Sequence, residues 1–118
     1  MSSELVDAHA HLSAAEFRQD LEAVLAGAAA AGVARIITVG ETLEDAEANL
    51  ALPARFPQVK VCAGLYPTIL DREAAAALHA FIRAHRESLV GIGEVGLDHW
   101  IVKEDAERDL QRDRKSVV

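Results

Sequence analysis

Asp7, His9 and His11 stand two residues apart in the run Val6-Asp-Ala-His-Ala-His-Leu12. A β-strand sends residues i, i+2 and i+4 to one face. As a strand, this stretch gathers one carboxylate and two imidazoles on a single side. Neutral imidazole is the commonest metal-ligating side chain, and a nearby carboxylate often orients it. A second candidate is Glu94, in Gly91-Ile-Gly-Glu-Val-Gly96. On a strand, Val90, Ile92 and Glu94 share one face and Gly91 and Gly93 the other, where glycine lets a helix pack close. A carboxylate at the C-terminal end of a parallel strand lies where α/β folds place their chemistry. There Glu94 could ligate one cation or bridge two. The competing reading for both stretches is a solvated strand carrying exposed polar groups.

The glycine run also fits the letters of the dinucleotide fingerprint. That motif must open a helix whose N-terminus receives a pyrophosphate. Leu97-Asp-His-Trp100 is a poor helix start, Glu94 would repel the anion, and no strand about 20 residues on ends in an acid that could hold a ribose. The nucleotide reading is therefore set aside.

These candidates need elements to position them. Ser13 and Glu16 have the capping-box spacing, which predicts a helix to about Ala31 with Phe17, Leu21, Val24, Leu25 and Ala28 as its stripe and Gly32 as its stop. Residues 34–40 are a β-branched strand. Thr42 and Asp45 mark the next helix start, with Leu43, Ala46 and Leu50 on one side and Pro53 at its end. Residues 59–65 form a third strand. Asp71 caps a third helix with Leu78, Phe81, Ile82 and His85 along one side, and residues 89–95 form a fourth strand. Strand and helix thus alternate, as in a parallel sheet of βαβ units. Residues 103–118 are a charged tail that reads as a truncated, solvated helix, with Glu104–Arg108 and Asp109–Arg112 at pairing distance. On sequence alone Glu41, after the second strand, is given no role, and Cys62 reads as a small hydrophobe.

The 118 residues are one domain's length. Twelve basic against nineteen acidic residues give a net charge of −7, the wrong sign for gripping nucleic acid by a broad basic surface. A phosphate substrate whose charge is met by metal ions stays open. The single cysteine permits no internal disulfide. No basic-then-apolar leader opens the chain and no apolar run nears membrane-spanning length, so a soluble cytoplasmic protein without membrane contact is expected.

Asp7-Ala-His-Ala-His-Leu12 and Gly93-Glu-Val-Gly-Leu-Asp98, together with Ala31-Gly-Val33 and Gly64-Leu-Tyr-Pro67, resemble TatD-type metal-dependent hydrolases along nearly the whole chain. The resemblance implies an α/β fold, a parallel-strand TIM-barrel-like metallohydrolase. It is incomplete here, with about four β/α units of eight. Residues 1–118 would be the N-terminal part of the barrel. It implies divalent metal ions (Mg, Mn or Zn, two in the complete enzyme) and cleavage of phosphodiester bonds, typically in DNA. Carried over by position, His9 and His11 would bind one metal and Glu94 would bridge it to a second, with Asp7 and Asp98 as supporting groups behind the ligands. The family often has a histidine where Tyr66 stands. Its two later histidines and the aspartate that serves as base would lie beyond Val118, which leaves the catalytic base unassigned. A half-barrel also leaves two open sheet edges, and self-association through them is expected. Two other functions stay in view. One is a catalytically inactive fragment acting as an interaction piece, and the other a related barrel hydrolase with a small-molecule substrate.

Overall fold

The computed structural model describes residues 4–115, and the side chains of residues 4–113. Its four strands are β1 (Leu5–Ala10), β2 (Val33–Thr38), β3 (Val59–Ala63) and β4 (Gly91–Ile92), and its helices α1 (Leu21–Ala30), α2 (Leu43–Leu50), α3 (Arg72–His85) and α4 (Asp105–Lys115). The strands lie side by side in chain order, every neighbour parallel. Parallel pairing follows from the helical crossovers, which return the chain to the starting end of the sheet before each new strand. All strand C-termini therefore open on one end of the molecule.

Two apolar clusters join helices to sheet. Leu25 of α1 meets Ile36 of β2, Val59 of β3, Leu12 and Phe56. Ala46 of α2 and Ala75 and Leu78 of α3 meet Ala63 of β3 and Leu65. Alanine at these contacts lets the helix backbones approach the sheet closely. The buried Val59, Val61 and Ala63 alternate along β3, so Lys60 and Cys62 face the opposite side, which would be the barrel interior.

The cap signals at Thr42 and Asp71 are realised. Thr42 Oγ1 accepts from the Asp45 amide at 3.2 Å, and Asp71 Oδ1 accepts from Glu73 and Ala74 at 2.8 and 3.1 Å. α1 stops ahead of Gly32, which takes φ +91°, where a side chain is strained.

Four expectations are corrected. Ser13 caps no helix: the chain makes a 3₁₀ turn at Ala15–Phe17 and α1 starts only at Leu21, while the Ser13 hydroxyl turns to Asp45. The fourth strand shrinks to two residues, and Ile92 pairs with Ala63. Gly91 and Gly93 do not make room for a helix; a Cβ on Gly91 would meet Cys62 Sγ at 3.1 Å, and one on Gly93 would meet Val39 and Cys62. They free space on the side of the sheet that carries Cys62. The tail helix α4 is not simply solvated: Gln111 is fully buried and donates to the Pro67 carbonyl at 2.6 Å, and Arg72 of α3 pairs with Asp113 at 2.8 Å. Arg108 sits nearer Asp105 than the expected Glu104, at 3.9 Å. The last three residues of the expected charged tail, 116–118, lie outside the described residues.

No helix begins at Gly96; residues 99–101 form a turn and α4 starts nine residues later, which removes the structural basis of a dinucleotide site. Among the described residues no helix is long and apolar enough to cross a membrane.

Candidate metal centre

β1 ends at Ala10, and His9 and His11 flank that end. Their Nε2 atoms lie 3.2 Å apart, with the rings nearly edge to face at 68°. From the far side of the sheet Glu94 Oε2 comes to 3.6 Å from His9 Nε2 and 3.5 Å from His11 Nε2. The three side chains are 53, 36 and 29 % exposed, so the cluster sits in a partly sheltered mouth open to solvent.

Glu94 does not arrive by continuing a strand. Gly93 still donates to the Ala63 carbonyl at 3.0 Å, but the Glu94 amide turns to the Gly40 carbonyl, also at 3.0 Å. Those bonds carry the carboxylate over the C-terminal ends of β2 and β3 toward β1. Gly64 has to be glycine for the same reason: a Cβ there would overlap the backbone of Gly93 and Glu94.

The β1 end is fixed by a buried polar chain. Thr38 Oγ1 accepts the Leu12 amide at 3.1 Å and donates to Asn49 Oδ1 at 3.0 Å; Asn49 Nδ2 in turn donates to the Val39 carbonyl at 3.3 Å. Thr38 and Asn49 are fully buried, so each polar atom needs its partner.

An ion bonded to nitrogen and oxygen at about 2.0–2.2 Å sets adjacent donors roughly 2.8–3.6 Å apart in octahedral or tetrahedral geometry. The three observed separations lie in that range. Two imidazoles and a carboxylate are also a donor set that suits first-row divalent ions. Among the described residues this is the one group of three or more such side chains close enough to hold an ion.

The other named residues are placed differently. Asp7 Oδ1 accepts the His9 backbone amide at 3.1 Å and makes no bond to an imidazole. Asp98 Oδ1 accepts the amides of Trp100 and Ile101, closing the turn after Glu94. Tyr66, where a histidine is often found, gives its amide to the Glu41 carbonyl at 2.8 Å. His79 and His85 belong to α3, where His85 packs on Phe81 with ring centres 4.4 Å apart.

Sequence reasoning gives Ser13, Glu41 and Asp45 no place in the site. With His11 and Ala14 they line a cavity of about 210 Å³ beside the cluster. The available signal was the position of Glu41 just past a strand end, at the face where this class of fold works.

A parallel βα half-barrel with two imidazoles and a carboxylate at its C-terminal mouth defines the class. The sequence model of the TatD related DNase family matches residues 6–114, and the chain belongs to that family. It is 35 % identical over 107 residues to the human deoxyribonuclease TATDN3, covering 80 % of this chain and 38 % of that protein. It is 30 % identical over 111 residues to the 3'-5' ssDNA/RNA exonuclease TatD of Salmonella typhimurium, covering 91 % and 43 %. The crystal structure of YjjV, a TatD homologue from Escherichia coli K12, superposes with a TM-score of 0.81 at 28 % identity, over 96 % of this chain and 44 % of that one. The chain thus spans less than half the length of these relatives.

Proposed function

We propose that this chain supplies four βα units of a divalent-metal-dependent phosphodiester hydrolase, with His9, His11 and Glu94 holding one ion. The observation that carries this reading is the set of separations among the three donor atoms, 3.2 to 3.6 Å across two strand ends. When bound, a divalent ion supplies Lewis-acid activation and neutralises a phosphate. That neutralisation suits a protein of net charge −7. The residues do the rest. His9 and His11 offer neutral nitrogen lone pairs, and Glu94 offers the anionic oxygen that offsets part of the cation's charge. Asp7 and Asp98 act behind them, through the His9 amide and through the turn following Glu94. A second ion and an aspartate base would come from the remaining units of the barrel. DNA is the favoured substrate because relatives carry the names deoxyribonuclease and ssDNA/RNA exonuclease. The test is hydrolysis of a single-stranded oligonucleotide with Mg²⁺ or Mn²⁺. Activity that disappears in His9→Ala supports the reading, and activity that survives the substitution refutes it.

A second reading, an interaction piece, is favoured by the sheet's two edges. Among the described residues β1 and β4 are each paired on one side only. Leu5 and Val6 at one edge and Val90 and Ile92 at the other are about half exposed. Open parallel edges with apolar side chains recruit further strands. Concentration-dependent association in sedimentation velocity supports this reading, and a monomer at all concentrations with a cooperative thermal transition opposes it.

A further inference from the structure

The connection from β4 to α4 carries Trp100, which is 82 % exposed, more than any other large apolar side chain among the described residues. This connection leaves β4 at the C-terminal end of the sheet, as Glu94 does, and Trp100 follows Glu94 by six residues. Six residues span at most about 22 Å, so Trp100 and the candidate metal centre share one end of the molecule.

The turn holds the ring out instead of folding it in. Asp98 Oδ1 accepts the amides of Trp100 and Ile101 at 2.9 and 3.0 Å, and the Asp98 carbonyl accepts the Val102 amide at 3.0 Å. Val102 is buried, and its own carbonyl accepts from Arg108 Nε of α4 at 3.0 Å. Both ends of the turn are thus fixed, and its apex presents Trp100. Lys103 Nζ lies 5.8 Å from the centre of the Trp100 ring, within cation–π range. That ammonium has no carboxylate partner among the described residues. An indole with a cation over one face and the other face open is a platform for a second flat ring, with a positive charge beside it for a phosphate.

We propose that Trp100 stacks on an unpaired base of a single-stranded nucleic acid and that Lys103 meets the backbone phosphate next to that base. A net charge of −7 denies the chain a broad basic grip. Stacking holds a strand through its rings instead, and it takes any base, because each has a π face. The proposal rests on the phosphodiester reading above, which brings the strand to this end of the sheet.

Trp100 is the chain's single tryptophan, so its fluorescence reads the contact directly. An oligothymidylate and an abasic strand of the same length and charge are titrated in EDTA, where no ion is held and nothing is cut. The oligothymidylate is expected to quench Trp100 and to bind about tenfold more tightly than the abasic strand. By anisotropy of labelled strands, Trp100→Ala is expected to remove that preference and Trp100→Phe to keep most of it. Lys103→Gln is expected to weaken both strands alike and to lower the salt dependence; unchanged binding of both removes Lys103 from the contact. No binding of the oligothymidylate, equal affinity for the two strands, or a preference that survives Trp100→Ala overturns the stacking. So does a blue shift of Trp100 on concentrating the protein alone, which would put a second copy of the chain over the ring. Mn²⁺ binding to wild type that is lost in His9→Ala supports the metal reading. No Mn²⁺ binding, or binding that survives His9→Ala, refutes that reading, and the strand titration decides the stacking in either case.

Discussion

The hydroxyl of Thr38 accepts the backbone amide of Leu12, the residue that follows His11, across 3.1 Å of fully buried contact. One side chain on β2 thereby sets where the second imidazole leaves β1. Thr38→Val keeps the shape and removes the hydroxyl, leaving the Leu12 amide and the Asn49 side-chain oxygen without partners. A buried polar group left unsatisfied costs about 1–3 kcal/mol. With two groups orphaned, denaturant titration should show a loss of at least that size, with Thr38→Ser close to wild type. A Thr38→Val protein as stable as wild type would remove Thr38 from any such role.

Gly64 and Gly27 make an opposed pair. A side chain at Gly64 overlaps the Gly93–Glu94 backbone, whereas one at Gly27, in α1, meets nothing within 4 Å. Gly64→Ala should lower both stability and metal affinity, because the Glu94 carboxylate moves with its backbone. Gly27→Ala should raise stability by about 0.5–1 kcal/mol through helix propensity and leave metal affinity alone. Thermal melts and metal titrations on the two variants check this, and equal effects on metal binding would contradict it.

Desolvation by burial pushes the Cys62 thiol above its ordinary value. The folded protein therefore holds this proton to higher pH than the unfolded chain does. The resulting stability is fully present below the unfolded thiol's pKa, roughly 8.5–9, and is lost as pH rises through the raised folded value. Cys62→Ala should flatten the fall in stability between neutral pH and about pH 10, and the native thiol should react slowly with a disulfide reagent at neutral pH. Rapid reaction there would contradict the placement of Cys62 beside Gly91.

Part of this architecture was legible in the residues. The caps at Thr42 and Asp71 and the stop at Gly32 each follow from local chemistry, and the local chemistry was not overruled; of the Asp7-His9-His11 row only the two imidazoles meet, while the Asp7 carboxylate takes the His9 amide. The Ser13–Glu16 signal failed because the Ser13 hydroxyl is drawn to Asp45 of α2, a residue 32 positions away that no window on the sequence connects to it. Glu94 was found for its end of the sheet, but not for its route. Strand alternation predicted its face, whereas the structure ends the strand at Ile92 and hangs the Glu94 amide on Gly40. The docking of α4 is not legible in the sequence because its buried side chain is Gln111, a polar residue that an apolar stripe cannot reveal.

Metal binding tests the centre most directly. In equilibrium dialysis against Mn²⁺ or Zn²⁺, the wild-type chain should hold one ion. His9→Ala, His11→Ala and Glu94→Gln should each weaken it by at least about tenfold, and His79→Ala, on α3, should leave it unchanged. An affinity that is the same in all of these proteins, or no binding by wild type, would contradict a metal centre built from the ends of β1 and β4.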